Sequence, residues 1–166
     1  MKATFEVRNT PRDYTIRIRM TGKFDAKAMW KFADDYKRAT ETYEGKSHLI
    51  LADMRGMTPL TPEVGHILSE AIAYCRARGV ACCAHLSDDT IQRLQAARLA
   101  RGRNPQDQIT VEVVSLAEGE RVLGEARAKL RDSMNMRTAS NAPSDSPRST
   151  SSVPAHNPNT RPPGSA

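Results

Sequence analysis

The feature that most constrains this fold is a regular alternation, between Phe5 and Leu130, of strand-like and helix-like patterns of apolar residues. Residues 5–7 and 14–20 alternate apolar and polar side chains with period two, and a turn-forming stretch at residues 9–13 separates them. After them, strand-like runs are followed by apolar positions three and four residues apart, as in amphipathic helices. Such a chain folds as an α/β domain around a central sheet.

The first helices can be placed from their capping residues. Asp25 occupies the N-cap position of a first helix that ends by Gly45. Residues 47–53 contain four consecutive apolar residues, the pattern of a strand covered on both faces. Thr61, followed by a proline, begins a second helix that ends before Gly79.

The remaining elements continue the alternation. Residues 80–86 form the next buried strand, and residues 87–89 cap a third helix. Residues 109–114 form the last strand, and Ser115 with Glu118 makes a capping box for a fourth helix. The predicted order is ββαβαβαβα, with a central mixed sheet and helices packed against it.

Composition changes sharply at Asp132 and divides the chain into two parts. Residues 133–166 are almost entirely Ser, Pro, Asn, Thr, Ala and Arg, without periodic apolar positions. Such a segment buries too little surface to offset the entropy of ordering. The sequence therefore predicts one α/β domain at residues 1–132 and a disordered tail at residues 133–166.

Composition also argues against several functional classes. No apolar run approaches the roughly 20 residues that cross a bilayer, and the first residues lack the apolar segment of a secretory signal, so we expect a cytoplasmic protein without membrane insertion. The three cysteines are odd in number, which disfavours a disulfide framework. The net charge of +6 is modest, and no aromatic residue interleaves with the arginines, so we expect no nucleic-acid partner.

Catalytic and metal-binding patterns are missing from the sequence. It contains no GxSxG, Walker or GxGxxG motif, and we expect a protein that is not an enzyme and needs no cofactor. His48, His66 and His85 lack CxxC or HxxxH spacing with one another or with the cysteines, which argues against a metal site.

Two polar turns carry the functional signal. Residues 22–26 and 51–62 each follow an apolar strand-like run and open a helix, so both should lie on one rim of the domain. The N-terminus of a helix there offers unpaired backbone N–H groups to a ligand or partner. The sequence therefore predicts that the function lies on this rim.

The two turns and the element order resemble the STAS domain, the fold of anti-sigma factor antagonists and of related domains in stress-signalling complexes and sulfate transporters. Residues 22–26, Gly-Lys-Phe-Asp-Ala, are similar to the family's Gly-x-Leu-Asp-Ala turn, and residues 53–57, Asp-Met-Arg-Gly-Met, to its Asp-Leu-Ser-Gly-Val. Residues 86–94 resemble the start of the family's third helix. The resemblance covers roughly residues 3 to 131.

This resemblance implies a non-enzymatic signalling module in transcription regulation that docks an anti-sigma factor, a sensor kinase or a larger signalling complex. The implied partner surface consists of five residues on the rim: Asp25, Thr58, Thr61, Glu63 and His66. The alternative is a domain of the same fold that holds a small ligand, a lipid or a nucleotide, in the groove between the first two helices.

The chain departs from the family at the phosphorylation site. Where the family carries a phosphorylated Ser or Thr at the start of the second helix, this chain has Glu63. Glu63 supplies a permanent negative charge where the helix dipole favours one, so either it takes the place of the phosphate or it merely stabilises the first turn. Thr58 and Thr61 are the remaining hydroxyl groups that a kinase could modify on this rim.

Overall fold

The computed structural model describes residues 1–101 and 108–140, with the side chains of residues 100 and 101 left out. The predicted tail from residue 141 onward lies outside the described residues. Within the described part, the elements are β1 (Thr4–Thr10), a 3-10 turn (Pro11–Asp13), β2 (Thr15–Thr21), α1 (Ala26–Glu41), β3 (His48–Asp53), α2 (Pro62–Arg76), β4 (Val80–Leu86), α3 (Thr90–Arg101), β5 (Thr110–Val113) and α4 (Leu116–Ser140).

The five described strands form one mixed sheet in the order β1-β2-β3-β4-β5. β1 runs antiparallel to β2, as expected for a hairpin, and the pairs β2–β3, β3–β4 and β4–β5 are parallel. Each parallel strand is therefore followed by a helix that returns the chain to the other end of the sheet. The predicted α/β class, with its mixed sheet and element order, is confirmed.

Helices cover both faces of the sheet. α1 and α2 bury the larger core against one face, where Ile16, Phe32 and Ile50 are almost fully buried. α4 covers the opposite face of β3, β4 and β5, with Leu123 fully buried in a smaller core. Every residue of β3 is buried, which confirms the prediction of a central strand covered on both sides.

The cysteine pair shows how the sheet separates the two cores. Cys82 packs in the smaller core beneath α4, whereas Cys83 packs against the larger one, so the two neighbours point to opposite faces of the sheet. Both are free thiols, and burial raises the pKa of each, that of Cys83 to about 12. Their environment is that of small core residues.

The fourth helix is longer than composition indicated. It continues through residues 133–140, where the sequence predicted the disordered tail to begin, and all of these side chains are exposed. Met, Arg and Ala in this segment favour helix even without packing, whereas the prediction rested on the missing apolar period. None of the described helices has both the length and the hydropathy needed to cross a bilayer.

Candidate functional site

Backbone hydrogen bonds join the two polar turns at the carboxyl ends of β2 and β3. The Gly22 N–H donates to the Gly56 carbonyl at 2.9 Å, and the Thr58 N–H donates to the Gly22 carbonyl at 3.0 Å. Gly22 has a φ of +82°, and a Cβ there would lie 2.4 Å from the Lys2 carbonyl oxygen, so glycine is required. The structure therefore brings together the two turns that the sequence placed on one rim.

Two acidic residues fix the β3–α2 loop, which runs from Met54 to Thr61. Arg55 donates from Nε and Nη2 to the two oxygens of Asp53, each at 2.8 Å, and these bonds hold the pKa of the Asp53 carboxyl below its ordinary value. The carboxylate of Asp88 accepts from the Gly56 N–H at 3.0 and 3.2 Å. Sequence reasoning assigned Asp88 only to a helix cap and missed this bond, which joins residues far apart in the chain.

A third connection reaches the same loop from α3. Gln95 accepts from the Leu60 N–H at 2.9 Å and donates to the Leu60 carbonyl at 2.8 Å. One amide side chain thus satisfies both backbone groups of a loop residue, as a neighbouring strand would. No local pattern in the sequence pointed to Gln95.

Asp25 and Thr61 both serve as helix N-caps, which confirms the predicted helix starts. The Asp25 carboxylate accepts from the Ala28 N–H at 2.7 Å, and the Thr61 hydroxyl accepts from the Val64 N–H at 3.5 Å. Both residues are exposed, so capping leaves part of each side chain available to a partner.

The other three predicted rim residues are exposed as well. The Thr58 hydroxyl donates to the Gly22 carbonyl at 3.0 Å, and His66 lies 3.2 Å from the Glu70 carboxylate one turn along α2. Glu63, the second residue of α2, accepts no hydrogen bond and forms no ion pair within the described residues. Its charge therefore faces solvent at the helix N-terminus.

A narrow apolar cavity lies between the sheet and the helices α1, α2 and α3. About 60 Å³ of it is wide enough for the centre of a water molecule. Phe32 of α1 and Leu68 of α2 line it, and α3 adds Gln92 and Leu99. We name this space the α3 cavity.

Burial controls the titrating groups of the α3 cavity. Burial lowers the pKa of His85 to about 4, and it raises the pKa of Tyr36 well above the ordinary value. Both side chains are therefore uncharged near neutral pH. His85 lies on the face of β4 opposite Cys82, and within the described residues no three His, Cys, Asp or Glu side chains are grouped to hold a metal.

No family model, curated protein or solved structure matches this chain. The likeness to STAS domains therefore stays a prediction from the motifs at residues 22–26 and 53–57.

Proposed function

We propose that this chain is a non-enzymatic signalling module of the STAS type, which works in the cytoplasm and docks a protein partner through its rim. The partner is an anti-sigma factor, a sensor kinase or a larger signalling assembly, and the process is transcription regulation. The observation that carries the proposal is the bonding of Gly22 to Gly56 and Thr58. It holds exposed side chains from two separate turns in one fixed surface, which lowers the entropy cost of binding a partner.

Glu63 supports a partner that recognises negative charge. An acidic residue with a purely local role near a helix N-terminus stabilises the helix by about 0.3 to 1 kcal/mol. The Glu63 carboxylate is exposed and unpaired within the described residues, so an arginine or lysine of a partner can reach it. In this proposal it takes the place that a phosphate holds in the family.

Phosphorylation of the two threonines would have different structural costs. The Thr58 hydroxyl donates its hydrogen to Gly22, and a phosphate ester would remove that bond. The Thr61 oxygen only accepts, and its bond is long at 3.5 Å. Of the two, Thr61 is the hydroxyl that a kinase would modify with less disruption of the rim.

The test is affinity purification from the native cell followed by mass spectrometry of partners and phosphosites. Glu63→Gln removes the charge and keeps the shape, and Asp25→Ser keeps a capping oxygen. Glu125→Gln, on an exposed turn of α4 across the sheet, is the matched control. We expect the partner to be lost or weakened with the two rim variants and retained with the control. Identical partner lists for all the proteins would overturn the proposal.

A second candidate function, small-ligand binding, is favoured by the α3 cavity. Its lining is mainly apolar, and Arg76 is the one permanently cationic side chain among the described residues that line it. A nucleotide carries several negative charges, so this lining suits an apolar molecule better than a nucleotide. Native mass spectrometry of the purified protein tests this function, because a ligand carrier arrives with added mass.

A further inference from the structure

The α3 cavity contains a buried side chain whose hydrogen-bonding capacity is only half used. Gln92 is 4% exposed. Its oxygen lies 3.4 Å from the Ser87 hydroxyl, which donates to it. The amide nitrogen has no hydrogen-bond partner among the residues that the structure describes. This nitrogen is not one of the fully enclosed unpaired atoms of the described residues, which are Thr40 Oγ1 and His48 Nε2. Part of its surface therefore stays open, and since Gln92 lines the cavity, it can donate to an acceptor that enters there.

The surroundings of Gln92 restrict the charge of that acceptor. Across the cavity, His85 Nε2 lies 3.3 Å from the sulfur of Met54, a weak partner for a ring nitrogen. Burial keeps His85 uncharged, so an anion beside it would lose its hydration without forming an ion pair with the imidazole. Such an anion would be destabilised there. Arg76, the cation of the lining, donates to the Thr110 hydroxyl at 2.9 Å. An uncharged acceptor fits this part of the cavity.

The shape of the cavity restricts the size of the occupant. The cavity has the width of a slot, because only about 60 Å³ of it admits the centre of a water molecule. Phe32, Ile50, Leu68 and Leu99 provide apolar walls. A flat ring or a short alkyl group fits such a slot, whereas a bulky polar molecule does not.

We propose that the α3 cavity binds a small, uncharged, apolar molecule with one hydrogen-bond acceptor, and that the Gln92 amide nitrogen donates to this acceptor. The inference rests on the second candidate function and is independent of the rim. The proposal names the class of ligand for the small-ligand-binding function. In it, Gln92 selects molecules that carry a hydrogen-bond acceptor.

Benzyl alcohol and toluene test the proposal as a matched pair, since they share a ring and differ by one hydroxyl group. Chemical shifts of the lining backbone amides of the full chain would be followed during titration with each compound. We expect both to bind at the cavity and benzyl alcohol to bind about fivefold more tightly, as one additional hydrogen bond gives. Benzoate, the anionic comparison, should bind at least about tenfold more weakly than benzyl alcohol.

The variant Gln92→Leu removes the donor and should abolish the preference for benzyl alcohol while toluene still binds. Gln92→Met, of similar length, serves if the leucine variant fails to fold. An equal preference in wild type and variant would overturn the role of Gln92 and leave the ligand-binding function standing. No binding of either compound at the cavity would overturn both the inference and the second candidate function.

Discussion

Acidification should destabilise this protein through His85. The side chain is 6% exposed, and burial lowers its pKa from 6.5 to about 4. Between these two values the unfolded chain binds a proton that the folded chain does not, so stability falls as the pH falls through this window. For this single group, linkage gives a loss of about 2 kcal/mol at about pH 5 and about 3 kcal/mol near pH 4.

The assay is denaturant unfolding at several pH values, followed by circular dichroism and by the fluorescence of the single tryptophan, Trp30. His85→Leu removes the titrating group and leaves an apolar side chain in the cavity. His48, whose pKa burial also lowers, is present in both proteins, so its effect cancels in the difference between them. The wild-type free energy of unfolding should fall more steeply than that of the variant below about pH 6.5. Parallel profiles for the two proteins would refute the reasoning.

Three further predictions concern stability. Gly22→Ala should destabilise more than Gly45→Ala, because both positions have positive φ but only at Gly22 would a Cβ meet backbone, 2.4 Å from a carbonyl oxygen; equal melting temperatures for the two variants would contradict this. Leu123→Ala should cost about 2–5 kcal/mol in denaturant unfolding, since this side chain is fully buried beneath the sheet, and a cost below about 1 kcal/mol would show that the smaller core is loosely packed. Truncation after Asp132 should change the free energy of unfolding by less than about 0.5 kcal/mol, because residues 133–140 are exposed, and a larger loss would show that they contact the domain.

The fold was predictable because its elements carry local patterns. The continuous apolar run of β3 indicated burial on both faces, and every one of its residues is buried. The caps at Asp25 and Thr61 place the starts of α1 and α2. At Ser115 the capping box forms only in part, because the Glu118 carboxylate accepts from the Val114 N–H instead of the N–H of the cap residue. Local side-chain chemistry therefore predicts where a helix begins more reliably than it predicts the individual capping hydrogen bonds.

The candidate sites were less predictable because their bonds join distant parts of the chain. The contacts of Asp88 with Gly56 and of Gln95 with Leu60 span 32 and 35 residues. Neither contact leaves a periodic signal, since a polar residue in a loop (Asp88) or on a helix (Gln95) is also what simple exposure to solvent predicts. The α3 cavity likewise depends on how three helices pack on the sheet, which the apolar pattern of each helix does not specify.

The β3–α2 loop belongs to both candidate sites, and this links the two functions. Met57 and Leu60 line the α3 cavity, while Thr58 between them lies on the rim. Gln95 joins Leu60 to the same helix that carries Gln92. A molecule bound to Gln92 would hold α3 in place, and α3 in turn holds the loop that a partner would contact. If ligand and partner both favour the ordered loop, each must increase the affinity for the other by the same factor. The two candidate functions are therefore compatible in one molecule.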